Sequence, residues 1–334
     1  ADAADWSSAM KRTIQIAVGA LFSVVCLVLA VRGLELGRVA EALGQAHYWL
    51  LVPALVLYFA GVWVRAVRWR YLLEPIAAIP ASRLFPVVVI GYMANDVLPL
   101  RLGEVARCFV LRRREGVPQS AALGTVLVER VMDGLTMLVF MGVTLPVLPF
   151  SAALYQLMGA ASGLFVGVSI ALVVLAARPA LASRLVDATL GRIGGPFGER
   201  GSGLAQSFLS GVAALGGGGA ALRIFGLSCV AWLLEAGMYF VLMYAFPIPP
   251  SAALATLTTA VANLGTLIPS SPGYVGVFDF IGKSVLTQFG VPDEPALAYV
   301  LVVHAALVVP VTLLGFYYAW RLGVTLREVS ARPT

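Results

Sequence analysis

Two stretches of apolar sequence are interrupted by the same pattern of helix-breaking residues. In both, an Asn precedes a Pro, three residues separate that Pro from a Gly, and a Val follows two positions later. Pro removes a backbone donor and Gly relaxes the chain, so in lipid such a break is tolerated only where protein or water satisfies the freed groups. The pattern predicts two re-entrant helical hairpins that line a polar cavity, as at the repeat interface of transport proteins. The breaking residues are Pro99 and Gly103 in the first stretch and Pro269, Pro272 and Gly273 in the second.

The composition is that of a membrane protein. Of the 334 residues, 60% are hydrophobic and 12% are charged, whereas soluble domains carry about 25% charged residues. The mean hydropathy is +0.91. The net charge of +6 does not indicate a nucleic-acid partner, because the Arg residues cluster at the ends of apolar segments, where positive-inside topology places them. Cys26, Cys108 and Cys229 lie apart in apolar surroundings, which favours free thiols over disulfides or metal ligands. We expect no cofactor and no metal site.

The apolar segments predict the number of membrane spans. A helix needs about 20 apolar residues to cross the hydrocarbon core. Six segments reach that length, at residues 13–31, 49–67, 121–148, 153–177, 224–246 and 296–320. Between them lie the two broken segments, at residues 84–111 and 251–290, whose arms are short for a span. The predicted fold is therefore an all-α polytopic membrane protein with six full transmembrane helices and two re-entrant helical hairpins. A bundle of continuous spans without re-entrant parts is the alternative.

Basic residues predict the orientation of these segments. Arg65, Arg68 and Arg70 return the second span to the cytoplasm, and basic residues near both termini place the termini there as well. Arginines flank segment 84–111 at both ends, so it is expected to enter from the cytoplasm. Prolines and acidic residues flank segment 251–290 instead, so it is expected to enter from outside. The predicted location is the cytoplasmic (inner) membrane.

The two halves of the chain match in plan but not in orientation. Each half combines spans with one amphipathic stretch, at residues 33–44 and near residues 205–215, and with one hairpin. Amphipathic stretches of this kind suit a helix that lies in the membrane interface. We therefore predict a single transmembrane domain over residues 1–334, built from an inverted repeat of residues 10–150 and 152–322.

Ionisable residues concentrate in the first hairpin and in the helix that follows it, which predicts a site facing a cavity or a partner. Glu129 and Asp133 share one helix face, while Arg130 points about 100° away. Two carboxylates on one face repel each other, so we expect Arg101 or Arg107 to neutralise them and to leave a cationic site for a lipid phosphate. For Arg107 itself we favour the simpler alternative, in which it snorkels to the inner interface.

The second hairpin is polar but nearly uncharged. Its broken-helix termini and polar side chains are expected to bind an anion or a head-group hydroxyl, with ordinary helix capping as the alternative. Elsewhere, Glu235 lies deep in the fifth span without a sequence-local partner and is a predicted site residue. Asp279 and Lys283 are spaced to pair with each other. His304 is expected to be a hydrogen-bonded packing residue, with proton relay as the alternative.

These arguments give one set of predicted site residues. No catalytic or metal-binding residue is predicted. The predicted substrate-binding residues are Asn95, Arg101, Glu104, Arg107, Glu129, Arg130, Asp133, Glu235, Asn263, Ser270, Ser271 and Tyr274.

Three ordered motifs, at residues 91–107, 129–134 and 269–276, carry a family resemblance. In this order they resemble the lysylphosphatidylglycerol synthase transmembrane (flippase-like) family over nearly the whole chain. The resemblance implies an integral inner-membrane protein that moves lipids between leaflets, with aminoacylated phospholipids, polyprenyl-linked sugars and hopanoids as cargo of different members. Bifunctional members also carry an aminoacyl-transferase domain after the membrane part. This chain stops shortly after its last predicted span, so it is expected to resemble the membrane half only.

The predicted function is that of a lipid flippase or translocase, not of an enzyme. The cargo would be an anionic or head-group-bearing lipid, such as a phospholipid, an aminoacyl-phospholipid or a polyprenyl-phosphate-linked lipid. The sequence has no Gly-x-x-x-x-Gly-Lys-Ser/Thr loop, so movement is expected without ATP hydrolysis. The expected partners are the membrane lipid substrate and a separately encoded lipid-modifying synthase or glycosyltransferase. The alternatives are a secondary transporter of a small soluble molecule and a membrane enzyme acting on a lipid phosphate; the oligomeric state stays open.

Overall fold

The computed structural model describes residues 2–98, 102–178, 184, 195–215, 218–268, 270–325 and 328. Within these residues the chain is helical and contains no strand, so the predicted all-α class is confirmed. Short 3-10 turns lie at Tyr48–Leu50, Ala213–Leu215 and Pro272–Tyr274. The helices are α1 (Asp2–Val31), α2 (Leu36–Gly44), α3 (Leu51–Leu73), α4 (Ala81–Val97), α5 (Gly103–Glu115), α6 (Gln119–Thr144), α7 (Ala152–Ala177), α8 (Gly195–Val212), α9 (Gly218–Met243), α10 (Ala252–Gly265), α11 (Val277–Gln288) and α12 (Asp293–Arg321).

Four helical segments among the described residues are long and apolar enough to cross a membrane. They are Tyr48–Leu73, Ala152–Ala177, Gly218–Met243 and Asp293–Arg321. A fifth is present if Ala17–Val31 and Leu36–Gly44, which are bent by 84° against each other, form one broken span. The predicted count of six is therefore not confirmed. The remaining predicted span forms α6, a helix of 26 residues, but Glu129, Arg130 and Asp133 lower its apolar character.

Both predicted breaks interrupt helices. α4 ends at Val97, and Leu98 has an extended backbone because the residue before a proline disfavours the helical conformation. α5 then begins at Gly103. In the second break, α10 ends at Gly265, and the turn at Pro272–Tyr274 precedes the start of α11 at Val277. Pro99, Arg101 and Pro269 lie outside the described residues.

The two broken segments approach the middle of α12 from its opposite ends. Arg83 at the start of α4 pairs with Glu115 at the end of α5, with a nitrogen–oxygen distance of 3.5 Å. Both residues line a cleft with Arg321, the last residue of α12. At the other end of α12, Asp293 pairs with Lys283 of α11 at 3.0 Å. The inverted repeat and the membrane entry sides remain predictions.

The helices pack pairwise around the breaks. α3 packs along α9, α4 along α12, and α6 along α8. The amphipathic stretch at 33–44 contains α2, which buries Val39 and Ala42. The stretch at 205–215 lies in α8 and the 3-10 turn after it. Their location in a membrane interface remains a prediction.

The charge-based orientation needs one correction. α3 continues to Leu73 and therefore takes Arg65 and Arg68 into the protein interior, where both are buried. Of the three arginines predicted to mark a cytoplasmic end, only Arg70 is exposed. A buried arginine is held by protein partners, so Arg65 and Arg68 carry no information about orientation.

Replacing Gly103 by Ala is expected to destabilise the first break. An added Cβ would overlap the Gly91 carbonyl oxygen and would lie 2.5 Å from Asn95 Oδ1, and backbone cannot move aside as a flexible side chain can. We expect the free energy of unfolding to fall by about 1–3 kcal/mol, the usual cost of overpacking. The measurement is a lower thermal unfolding temperature in detergent. The control is Gly142→Ala in α6, where an added Cβ meets no atom within 4 Å. Equal melting of the two variants would contradict the close approach of α4 and α5.

Candidate functional site

The two breaks border one polar cavity. The cavity holds about 780 Å³ of empty space, part of it open to the outside. Asn95 and Asp96 line it from the end of α4, and Asn263 and Thr266 line it from the end of α10. Tyr274 lines it from the turn before α11. The cavity therefore joins both halves of the repeated sequence pattern at one place.

α12 holds the two breaks together. Thr312 Oγ1 donates a hydrogen bond to Asp96 Oδ2 in the first break, at 2.8 Å. His304 Nε2 lies 2.7 Å from the Gly273 carbonyl oxygen in the second break. The breaks also lie close to each other, because a Cβ added to Gly273 would lie 3.6 Å from the Asp96 carbonyl oxygen.

A buried ion cluster lies beside the cavity and contains the two carboxylates predicted to share a helix face. Arg107 Nη2 lies 2.9 Å from Glu129 Oε1. The prediction that an arginine of the first broken segment neutralises the two carboxylates is therefore confirmed for Glu129, whereas Asp133 is paired by arginines of other helices. Arg68 contributes a second cation, at 2.5 Å from Asp133 and 3.3 Å from Glu129. Arg130 adds a third, at 2.8 Å from Glu129 and 3.4 Å from Asp133. Three arginines and two carboxylates leave this cluster with one excess positive charge.

Two predictions about these arginines are wrong. Arg107 does not snorkel to an interface: it is 3% exposed, and its guanidinium lies 4.9 Å from the ring centre of Trp69. Arg130 does not point away from the carboxylates, because its long side chain folds back along α6 to reach both of them. It also lines the cavity. With about a third of its side chain exposed, Arg130 is the least covered cation of the cluster.

Glu235 finds a partner far away in sequence. Its Oε2 accepts a hydrogen bond from Arg65 Nη2 at 2.7 Å, and both side chains are buried at the cavity wall. The Arg65 guanidinium stacks 4.4 Å from the ring centre of Trp232, a favourable cation–π arrangement. Trp232 Nε1 donates to Asp133 Oδ1 at 2.8 Å. Trp232 therefore links the Arg65–Glu235 pair to the ion cluster.

The charged residues of α11 do not pair as predicted. Asp279 Oδ1 lies 2.8 Å from His304 Nδ1 rather than beside Lys283. Lys283 Nζ instead contacts Asp293 at 3.0 Å and donates to the Ala30 carbonyl oxygen at 3.1 Å. The prediction fails because the spacing rule describes isolated helices, whereas buried side chains take the nearest tertiary partner.

The remaining predicted residues lie around the cavity in different roles. Asn95 Oδ1 accepts a hydrogen bond from the Gly103 amide at 2.8 Å and so connects α4 to α5. Glu104 lies partly buried in the first turn of α5. The Ser271 amide donates to Ser23 Oγ of α1 at 2.8 Å. Glu104, Ser270 and Ser271 are not among the described residues that line the cavity, and Arg101 lies outside the described residues.

Arg65, Arg68 and Trp232 belong to this site but are not among the residues predicted from the sequence. The predicted span ends at residue 67, so the sequence pattern assigns the two arginines to a cytoplasmic end. A signal was present: Arg65, Arg68 and Leu72 recur at helical spacing, as expected for one face of a helix that continues into the interior.

Comparison with known proteins covers most of the chain. The family model described as lysylphosphatidylglycerol synthase TM region matches residues 16–315. Glycosyltransferase AglD of Haloferax volcanii is 26% identical over 319 residues, which cover 86% of this chain but 51% of that protein, so the chain spans about half its length. A UPF0104 membrane protein of Methanothermobacter thermautotrophicus is 25% identical over 295 residues, covering 84% of this chain and 86% of that protein. No solved structure matches. This multi-pass membrane protein belongs to the lysylphosphatidylglycerol synthase transmembrane region family.

Proposed function

We propose that this protein is a translocase that moves a lipid with an anionic or sugar-bearing head group across the membrane without ATP hydrolysis. The head group would enter the cavity between the two breaks, while the acyl or polyprenyl chains stay in the bilayer. The proposal includes no chemical conversion of the lipid.

The observation that carries the proposal is the convergence of both breaks on one polar cavity within an apolar helical protein. Helix ends expose backbone donors and acceptors that no longer bond within the helix, and Asn95, Asp96 and Asn263 add polar side chains to the same wall. Groups of this kind are costly in a membrane protein unless they face water or a polar ligand.

One cation of the ion cluster reaches the cavity. Arg130 lines the wall with about a third of its side chain exposed, where it offers a partner for a lipid phosphate. Arg suits phosphate because its planar guanidinium donates two parallel hydrogen bonds and stays charged. The similar protein named a glycosyltransferase supports a lipid-linked sugar as one cargo class, together with a separately acting glycosyltransferase as a functional partner.

We further propose that the protein lies in the cytoplasmic membrane with both termini in the cytoplasm. Arg83, Arg114 and Arg321 line one cleft at the C-terminal end of α12, where the first broken segment begins and ends. Clusters of arginine at one side of a membrane protein mark its cytoplasmic side. In this orientation the first hairpin enters from the cytoplasm and the second from outside.

The test is lipid movement in vesicles that contain the purified protein. Phosphatidylcholine vesicles carry a trace of fluorescent phosphatidylglycerol or, in a second series, of a fluorescent polyprenyl-phosphate-linked sugar, and dithionite quenches the probe in the outer leaflet. We expect the protein to expose inner-leaflet probe to quenching. Asn263→Leu is expected to slow this at least about tenfold, since it removes polar groups worth about 1–3 kcal/mol from the cavity wall.

The matched control is Thr256→Val on the same helix. Its hydroxyl donates only to the Ala252 carbonyl oxygen, at 2.7 Å, and it does not line the cavity, so its rate should equal that of the unaltered protein. Arg101→Ala in the same assay tests the sequence-based prediction for that residue. Rates equal to those of protein-free vesicles with both probes would overturn the lipid proposal.

A further inference from the structure

His304 of α12 contacts two acceptors at once. Its Nε2 lies 2.7 Å from the Gly273 carbonyl oxygen, and its Nδ1 lies 2.8 Å from Asp279 Oδ1. The other carboxylate oxygen, Asp279 Oδ2, accepts a hydrogen bond from the Gly276 amide at 2.9 Å. Asp279 is 1% exposed, whereas His304 lines the polar cavity.

A neutral imidazole beside a carboxylate has only one N–H hydrogen. The two contacts of His304 require a second proton. A carbonyl oxygen only accepts, so Nε2 carries a hydrogen and donates it to Gly273. Nδ1 of the neutral ring would then present a lone pair to a carboxylate oxygen, which is a repulsive contact. A second proton between Nδ1 and Oδ1 turns this contact into a charge-assisted hydrogen bond, whichever atom carries it.

We infer that the His304–Asp279 pair is a proton-binding site that controls the second break. With the proton bound, His304 and Asp279 together hold the carbonyl of Gly273 and the amide of Gly276, and so fix the turn between them. Loss of the proton to water in the cavity leaves the neutral ring with one hydrogen for two acceptors. Either the Nδ1–Oδ1 contact or the contact of Nε2 with the Gly273 carbonyl oxygen then becomes repulsive, and the turn is released. Coupling of this release to lipid movement rests on the proposed function, whereas proton binding itself does not.

The backbone conformation of this turn is unfavourable by itself, so contacts with other helices are needed to hold it. Loss of the contact with His304 is therefore expected to release the turn. Gly273, Tyr274 and Gly276 have positive φ angles of 67°, 59° and 87°, and this conformation is unfavourable for the non-glycine Tyr274. The turn covers α1: the Ser271 amide donates to Ser23 Oγ at 2.8 Å, and a Cβ added to Gly276 would overlap the Ser23 carbonyl oxygen.

The other charged groups around His304 have their own partners. Across the cavity, Asp96 of α4 accepts a hydrogen bond from Thr312, and Glu235 of α9 pairs with Arg65 of α3. Arg130 of α6 also lines the cavity and pairs with Glu129 and Asp133. One turn beyond Asp279, Lys283 pairs with Asp293. Tyr274 contributes a phenol from the turn itself. Asp279 is the only one of these groups that the described contacts place against the imidazole.

The first test measures release of the turn without any lipid cargo. Ser23 is 5% exposed beneath the turn, so a Ser23→Cys thiol reports uncovering by its reaction with a small water-soluble thiol reagent. The background carries Cys26→Ala, Cys108→Ala and Cys229→Ala, and an exposed Gln288→Cys variant corrects for the intrinsic pH dependence of the reaction. We expect the corrected labelling rate to rise about tenfold as pH rises. A factor of this size corresponds to the loss of one charge-assisted hydrogen bond.

Asp279→Asn should abolish this rise. An Asn amide donates to neutral Nδ1 and its oxygen still accepts from Gly276, so the variant keeps both contacts without a proton to lose. His304→Gln, which removes the imidazole, should also remove the rise. Asp293→Asn, which removes a nearby carboxylate outside the pair, should retain it. A rise that persists in either pair variant, or no rise in the unaltered pair, would overturn the inference.

The second test repeats the vesicle assay over the same pH range. The unaltered protein should move fluorescent phosphatidylglycerol or the polyprenyl-phosphate-linked probe at a pH-dependent rate, and Asp279→Asn should flatten the profile. If neither protein moves the lipid probes while the labelling results are as expected, the proposed function is overturned and the proton site is still supported. Transport with the same pH profile in both proteins would overturn coupling through this pair.

Discussion

Arg68→Met is expected to lower the free energy of unfolding by about 3–5 kcal/mol, the usual cost of removing one partner from a buried ion pair. Arg68 is fully buried and contacts Asp133, Glu129 and the Ser228 hydroxyl. Its loss leaves Asp133 with only the longer 3.4 Å contact to Arg130 and the hydrogen bond from Trp232. The measurement is denaturant or thermal unfolding of the purified protein in detergent.

Arg70→Met is the matched control. It lies two residues away on the same helix and loses the same charge, but it is exposed, so its effect should stay within about 0.5 kcal/mol. Adding Asp133→Asn to Arg68→Met should recover much of the lost stability, because the amide introduced at position 133 has no charge to leave unpaired and still accepts from Trp232. If Arg68→Met unfolds at the same temperature or denaturant concentration as Arg70→Met, the buried cluster does not hold α3 against α6.

The helix breaks were predictable because their cause is local. A proline removes a donor and restricts the residue before it, but α4 and α12 continue through Pro86 and Pro310. The break near Pro99 was predictable because this proline stands in a local pattern with Asn95 and Gly103. The same holds for the apolar length of α7, α9 and α12. These features depend on residues adjacent in the chain, and a single sequence contains that information.

The partners of the buried charges were not predictable in the same way. Arg65 and Glu235 are 170 positions apart, and nothing in either segment specifies the other. Within a single sequence, an arginine at the end of an apolar run fits two explanations: a charge at the membrane surface or a charge buried against a distant carboxylate. The difference depends on whether the helix continues past it, and helix ends are defined least sharply by sequence.

The pairing of Asp279 with His304 shows the same limit on a smaller scale. The spacing of Asp279 and Lys283 favours a contact along one helix, worth only about 0.2–0.5 kcal/mol. The imidazole of α12, packed against α11, offers a buried hydrogen bond instead, which is worth more. Tertiary packing therefore overrides the local preference, and the proton site could be found only once α11 and α12 were placed side by side.

The second large effect is expected from the Arg65–Glu235 pair. Arg65→Met alone leaves the Glu235 carboxylate buried without its cation, and Glu235→Met alone leaves the guanidinium without its anion. Each single variant should lose about 3–5 kcal/mol, whereas the double variant should unfold within about 1 kcal/mol of the unaltered protein, because a buried pair replaced by apolar residues of similar volume is often neutral. A methionine at position 65 also keeps a favourable sulfur contact with Trp232.

The double variant separates stability from function. Arg65 and Glu235 both line the cavity, so their replacement removes a charged wall while the helices stay packed. If a polar head group occupies this cavity, the folded double variant should move the fluorescent lipids at least about tenfold more slowly, the loss of one charge-assisted interaction. A folded double variant that transports at the unaltered rate would place the lipid path elsewhere in the molecule. In that case the ion pair would serve only to hold α3 against α9.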